Sequence, residues 1–439
     1  MSSTDGHLPN DCELRVGVQS MKVLQLNSSD LIGSRFNGFD VRHLLAADGI
    51  ETHHLVWNKL SDSNASSKFF RIPRSRDLTK MLGRIERAYS IHSRLQLQSF
   101  TLPLHRAFRE ADVVHYHIIH DGYFGLDALP WLSRLKPSIW TWHDPWPMTG
   151  HCIYPLGCER WRIGCGECPR LDLVFEMRRD RTAQDFEWKQ RLIHKSDIDV
   201  VVASEHMRRM VQSSPIGRAI RLHCIPFGID LQKFCPGDGA AARARLGVLP
   251  NRLVIGVRAF PDSPYKGFDF FLQALRRLGE INVPLCIVAT HAKEKLNEFI
   301  GTHQIIDLGW TNDEALILDT FKAADFFVMP STAEAFGMMA IEAMACGKAV
   351  IVFDGTSLPE VARAPDVGIS VPMGDIDGLA AAIRRLAADE AERRARGSAG
   401  RTTAEDLYGD RLFAWRLAGL YRSVADKHAL NSPSEAASQ

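Results

Sequence analysis

Val328-Met-Pro-Ser-Thr-Ala-Glu-Ala-Phe-Gly-Met-Met-Ala-Ile-Glu-Ala-Met-Ala-Cys-Gly-Lys-Ala-Val-Ile351 decides the fold. The run that leads into it, Asp325-Phe-Phe-Val-Met329, is apolar on both faces, as a strand covered on both sides must be. A loop from Pro330 to Phe336 follows. Gly337 to Cys346 then runs without proline or turn residue and reads as a helix, with Gly347 placed where a helix end favours a left-handed residue. Ala349-Val-Ile-Val-Phe353 is a second buried strand, which completes a β-loop-α-β unit. The free N–H groups where that helix begins form an anion site. Glu334 in the loop and Glu342 on the helix flank it.

A carboxylate repels phosphate, so these two glutamates are better suited to accepting hydrogen bonds from hydroxyls. Two such acceptors beside a phosphate cradle suit a nucleotide attached to a sugar. The spacing of Glu334 and Glu342, inside P-S-x-x-E-x-F-G-x-x-x-x-E-A-M-A-x-G, resembles the E-x7-E signature of the retaining GT4 glycosyltransferases, which have the GT-B fold. That resemblance implies an α/β protein of two facing Rossmann-like domains, with a C-terminal helix crossing back to the first. It is firm from residue 225 onward and looser before 110.

Composition is that of an ordinary soluble globular protein. The chain has 439 residues, enough for two or three domains, with 45% hydrophobic and 24% charged residues. A net charge of +1 gives no bulk case for nucleic acid. No apolar run is long enough to span a bilayer, and the N-terminus lacks a signal-peptide pattern. Nine cysteines, five of them scattered singly, fit a reducing cytoplasm. The expected organisation is a disordered lead (1–20), an acceptor domain (21–225), a donor domain (226–410), a crossing helix (411–426) and a disordered tail (427–439).

Met21-Lys-Val-Leu-Gln-Leu26 opens the first half as a strand, followed by a loop carrying Gly33-Ser34, a helix to Ala47 and a strand over Thr52–Val56. GT4 members usually have paired glycines in this loop near the donor phosphates; Gly33 and Ser34 stand there here. Asp112-Val-Val-His-Tyr-His117 and Ser138-Ile-Trp-Thr-Trp-His143-Asp144 end in polar residues, and ligands of open α/β sheets gather at such strand ends. His117, His143, His120 and Asp144 are therefore cleft candidates. By its resemblance to the family's D-V-V-H-x-H strand, His117 would lie beside the donor sugar.

Residues 68–109 hold ten Lys and Arg against Asp77 and Glu86. Leu78, Met81, Leu82, Ile85 and Tyr89 recur there at helical spacing. Packing of this stripe on its own domain is the expected outcome; docking on anionic lipid, with peripheral contact at the inner membrane face, is the alternative. An insert over 149–169 carries Cys152, Cys158, Cys165 and Cys168 in the pattern C-x5-C-x6-C-x2-C. Four thiolates so close can close a tetrahedral zinc site; a disulfide pair and free thiols are the other readings. The surrounding T-W-H-D-P-W-P-M-T-G-H-C stretch resembles GT4 enzymes of bacterial surface-polysaccharide assembly.

Ile225-Pro-Phe-Gly-Ile-Asp230 is similar to the family's interdomain linker. Beyond it, Arg258 and Lys266-Gly267 correspond to the R…K-G pair that binds the donor diphosphate, with Pro261-Asp-Ser-Pro264 as a bulge between them. Leu308 lies in a stretch that resembles the family's F-L-G strand end, whose backbone reads the base. The resemblance implies roles for each. Arg258 and Lys266 stabilise the leaving diphosphate, assisted by the amides of Phe336, Gly337 and Met338. Glu334 holds sugar hydroxyls and Glu342 the ribose diol. No metal is needed for catalysis, and the donor is a UDP- or GDP-sugar. The acceptor is a glycan or lipid-linked glycan. A GT-B phosphorylase, a sugar-nucleotide epimerase and a non-catalytic nucleotide-sugar-binding subunit are the alternatives.

Overall fold

The computed structural model describes residues 20–69, 75–279, 281, 283–311 and 313–431. The expected lead to residue 19, the tail from 432, Arg71 and Arg74 lie outside them.

The first sheet is built from β1 (Met21–Ser29), β2 (Ile50–Asn58), β3 (Ser66–Lys68), β4 (Val113–Tyr116), β5 (Ser138–Thr141), β6 (Ile198–Val202) and β7 (Arg221–Cys224). Helices α1 (Arg42–Ala47), α2 (Ser75–Ala88), α3 (Arg106–Glu110), α4 (Leu129–Leu135), α5 (Thr182–Lys195) and α6 (Glu205–Ser213) connect them. The strands lie in the order β3-β2-β1-β4-β5-β6-β7, all parallel. Helices cover both faces, so β4, β5 and β6 are buried along their whole length. Their Val, Ile and Trp residues on both faces follow from that double burial.

The second sheet repeats the plan. It contains β8 (Leu253–Arg258), β9 (Leu285–Thr290), β10 (Gln304–Asp307), β11 (Phe326–Met329), β12 (Ala349–Phe353) and β13 (Ile369–Val371) in the parallel order β10-β9-β8-β11-β12-β13. Its helices are α7 (Gly239–Leu246), α8 (Phe268–Arg276), α9 (Glu314–Ala323), α10 (Met338–Ala345), α11 (Leu358–Val361), α12 (Ile376–Ala388) and α13 (Glu390–Leu407). The stretch read first from the sequence is β11-α10-β12, and Gly347 takes the left-handed conformation expected of it, with φ +71°.

In each sheet the strand order reverses beside the first strand, between β1 and β4 and between β8 and β11. Those are the crevices where open α/β sheets bind ligands. Two apolar clusters pack the outer faces, one around Trp140, Trp142 and Trp146 and the other around Phe268, Phe271 and Phe353. A third runs through both lobes, from Val23 and Ile139 to Phe327, Ile341 and Tyr421.

The final helix, α14 (Asp410–Asn431), returns to the first lobe. Its start is fixed by the linker: Ile229 N–H donates to Tyr408 O (2.9 Å) and Asp410 N–H to Ile229 O (3.0 Å). Its buried Tyr421 hydroxyl accepts from Gln25 Nε2 (2.8 Å) and meets His115 Nδ1 (2.9 Å). The helix is longer than the expected 411–426 and takes in residues assigned from sequence to the tail.

The apolar stripe of α2 departs from the expectation that it packs on its own domain. Leu78 and Met81 are half exposed, and Tyr89 just beyond is 70% exposed. One buried contact ties the helix down, Glu86 accepting from the Arg94 and Leu95 N–H groups at 2.7 Å each. The following turn adds exposed Leu97, Phe100 and Leu104, with Phe100 stacked 6.0 Å from exposed Trp131.

Candidate active site

The loop between β11 and α10 is held rigid from two sides. Buried Ser357 donates its hydroxyl to the carbonyls of Glu334 (3.0 Å) and Phe336 (2.9 Å). On the other side, Thr332 N–H donates to Tyr265 O (2.9 Å) and Thr332 Oγ1 to Pro264 O (2.8 Å). The two loops meet at Gly267, with φ +63°, where a Cβ would lie 1.8 Å from Pro330 O. Gly337 is likewise obligatory: φ is +108° and a Cβ would lie 2.4 Å from Leu358 Cδ2.

This frame sets the charges. Lys266 Nζ lies 2.6 Å from Glu334 Oε2, an ion pair directly beneath the helix start. Among the described residues, the N–H groups of Phe336 and Gly337 have no protein partner, and Met338 opens the helix with its N–H unpaired in the usual way. Exposed Arg258, at the end of β8, also has no hydrogen-bond or ion-pair partner among the described residues. Glu342 is buried on α10 and is met from the first lobe by the guanidinium of Arg35.

The first lobe supplies a histidine cluster above these groups. His117 Nε2 lies 2.7 Å from Gln25 Oε1 and Nδ1 lies 3.1 Å from His143 Nε2. Because Oε1 only accepts, Nε2 carries the proton and Nδ1 accepts from His143. His143 Nδ1 is then buried without a partner. His115 is held by Tyr421 and by Thr141 Oγ1 (2.7 Å). Burial first, then the neighbouring rings, drive His117 well below its ordinary value of 6.5. Burial pushes His115 and His143 down to about 3. His120 Nε2 lies 3.1 Å from Asp144 Oδ2. Burial opposes ionisation of Asp144, yet His120 and the Trp146 N–H hold its carboxyl below the usual range.

The structure thus brings together Glu334, Lys266, Glu342, Phe336, Gly337 and Met338 in the second lobe, and His117, His143, His120 and Asp144 in the first. Gly33 takes φ +78°, and Ser34 Oγ donates to Asp40 (3.0 Å), orienting the loop that sends Arg35 across. Leu308 follows β10; its N–H is used on Ala289 O (2.9 Å), leaving its carbonyl for a ligand. His117 is only 2% exposed with both nitrogens engaged, so touching a sugar requires one partner to let go.

The zinc expectation finds no support in the structure. Cys152, Cys158, Cys165 and Cys168 are free thiols, and among the described residues no group of three or more His, Cys, Asp or Glu is arranged to hold a metal ion. Cys165 Sγ accepts from Gly150 N–H (3.1 Å), while Cys168 Sγ lies 3.5 Å from His151 Nε2. The four sulfurs nonetheless lie near one another: Cys158 and Cys168 act electrostatically on Cys152, and Cys152 and Cys158 on Cys165.

Three groups were not legible in the sequence. Arg35 is one. Tyr154, from the cysteine loop, packs 5.2 Å from Tyr265 and lies beside Glu334. Glu360 accepts from the N–H groups of Glu205 (2.7 Å) and His206 (2.8 Å), capping α6 of the opposite lobe. Each acts across the cleft, so no local pattern could reveal it.

Comparison with known proteins agrees with this geometry. The family model described as Glycosyltransferase Family 4 matches residues 45–233, and that described as Glycosyl transferases group 1 matches 251–389. The fold and site define a two-lobed GT-B protein. The chain is related to the GT4 glycosyltransferases. A D-inositol 3-phosphate glycosyltransferase of Mycobacterium sp. (strain KMS) is 27% identical over 300 residues, 66% of this chain and 63% of that protein. The alignment therefore spans less than two thirds of that relative's length. The namesake from Mycobacteroides abscessus is 27% identical over 357 residues, 77% of this chain and 73% of its own. Among solved structures, a sucrose-phosphate synthase from Thermosynechococcus elongatus superposes with TM-score 0.65 at 20% identity, covering 93% of this chain and all of its own. Anabaena HepE in complex with UDP-glucose gives 0.61 at 16%, covering 92% of this chain and all of its own. These structures share the fold.

The histidines make stability depend on pH. His54, His115 and His143 fall to about 3 and His92 to about 4, chiefly through burial. They stay neutral when folded but take up protons when unfolded below their ordinary 6.5. Their contribution is whole above that value and is lost as pH falls toward 4. Thermal unfolding followed by circular dichroism should show Tm falling steadily from pH 7 to pH 4; a flat Tm over that range would contradict the assignment.

Proposed function

We propose that the protein is a retaining glycosyltransferase that moves a sugar from a UDP- or GDP-sugar to a hydroxyl of a glycan or lipid-linked glycan in cell-surface polysaccharide assembly. The observation that carries this reading is the joint placement of Glu334, Glu342, Lys266 and the open N–H groups of α10 at one switch-point crevice. The second lobe (226–410) holds the donor, and the first (21–225) shapes the acceptor site. The mycobacterial relatives carry glycosyltransferase names, and that supports the activity.

In this reading the diphosphate sits at the start of α10, where the Phe336, Gly337 and Met338 amides and the cations Arg258 and Lys266 face it. The bond from the anomeric carbon to the diphosphate oxygen breaks as the acceptor oxygen attacks from the same face. The departing phosphate oxygen takes the acceptor's proton, so the products are the glycoside and the nucleoside diphosphate. Fixed positive charge at the leaving group stabilises the transition state without any reorganisation. Lys266, already beside Glu334, shares itself between that carboxylate and the phosphate. Glu334 accepts from sugar hydroxyls and Glu342 from the ribose diol. His117, neutral and held by Gln25, shapes the sugar's side of the cleft.

The exposed face of α2 supports peripheral contact with anionic lipid. Arg76, Lys80, Arg84 and Arg87 surround exposed Leu78, Met81 and Ile85, the mixture that settles amphipathic helices at charged bilayers. No helix among the described residues is long and apolar enough to cross a membrane.

Two outcomes follow. In a thermal-shift screen against UDP-, GDP-, ADP- and dTDP-sugars, one base class should raise Tm, and Glu342→Ala should abolish the shift. No shift with any donor at millimolar concentration would remove the reading. In flotation assays at low salt, the protein should bind vesicles containing phosphatidylglycerol, bind less at high salt, and lose binding in Met81→Glu. Absence of binding at low salt would remove the lipid contact.

A further inference from the structure

Arg35 stands out because it spans the cleft to reach a buried carboxylate. The Glu342 side chain is 5% exposed; Arg35 of the opposite lobe is its ion-pair partner, and its buried Oε1 makes no hydrogen bond. The guanidinium lies over the Phe234 ring, 5.5 Å from its centroid, which holds it in the cleft. Asp40 attracts it from its own loop, and Arg258 is close enough to repel it.

A carboxylate this buried is costly to leave without a partner. When the cleft is empty, Arg35 provides that partner. A ribose diol on Glu342 would provide two hydrogen bonds in its place, one of them on the Oε1 that Arg35 meets. The displaced guanidinium would then have Arg258, a like charge, as its neighbour. Asp40 attracts it from one side only, so an anion placed between the two cations favours that arrangement further, and a diphosphate attached to the same ribose is such an anion.

We propose that Arg35 is a donor-binding residue that occupies Glu342 in the empty site and transfers to the donor diphosphate when the ribose diol arrives. This rests on the donor-site reading above. Arg35 thereby ties the first lobe to a ligand held mainly by the second. The same exchange makes tight binding depend on a complete nucleoside diphosphate: a nucleoside alone displaces Arg35 from Glu342 and gives it nothing in return.

The test compares UDP with uridine and GDP with guanosine, titrated by ligand-observed NMR into wild type, Arg35→Ala and Arg35→Lys. For the base that binds, Arg35→Ala should weaken the nucleoside diphosphate by about tenfold. It should strengthen the bare nucleoside several-fold, because nothing competes for Glu342. Arg35→Lys should recover most of the diphosphate affinity. The ratio of the two affinities within one variant is the readout, since a loosened fold lowers both together. An unchanged ratio in Arg35→Ala would overturn the proposal while leaving the donor site in place. Failure of wild type to bind either diphosphate would overturn the donor-site reading itself.

Discussion

Two loops of the second lobe approach so closely at Gly267 and Pro330 that a hydrogen is all that fits between them. Everything at the site depends on that contact. It places Lys266 beside Glu334 and ties the Thr332 backbone to Tyr265, and Ser357 pins the same loop from behind. The start of α10 is therefore presented with its N–H groups open and its carboxylates fixed before any ligand arrives. A site preorganised in this way loses little free energy when a diphosphate settles on it.

The first lobe is organised by a different device. Tyr421, near the end of the chain, holds both Gln25 and His115, and Gln25 holds His117. The crossing helix thus fixes the ring that faces the cleft through one intermediate amide. Burial keeps these rings neutral, so they orient and exclude water and bring no charge to a site already rich in cations. Glu360 and Ser204 bridge the lobes nearby, Ser204 Oγ donating to Ala335 O at 2.7 Å. These polar bridges accompany the apolar cluster that runs through both lobes.

What could be read from the sequence followed the range of its signals. The β11-α10-β12 unit was legible because burial, the helix start and Gly347 all lie within a few residues of one another. The strand-end histidines were legible because parallel sheets concentrate polar residues at their carboxyl ends. Arg35, Tyr154 and Glu360 were not, since each finds its partner on the opposite lobe, and nothing near them in sequence marks that partner. The cysteine loop shows the limit of spacing: it gathers the four sulfurs near one another, but the contacts of Cys165 with Gly150 and of Cys168 with His151 are set by packing that spacing does not reveal. The stripe on α2 was read as a packed face because periodicity shows that a face exists without showing what covers it.

The most direct test is a crystal structure with UDP or GDP bound, whichever base the protein selects. The diphosphate should lie at the Gly337 and Met338 N–H groups between Arg258 and Lys266, with the ribose diol on Glu342. A nucleotide bound outside this crevice, or one whose ribose does not touch Glu342, would contradict the account.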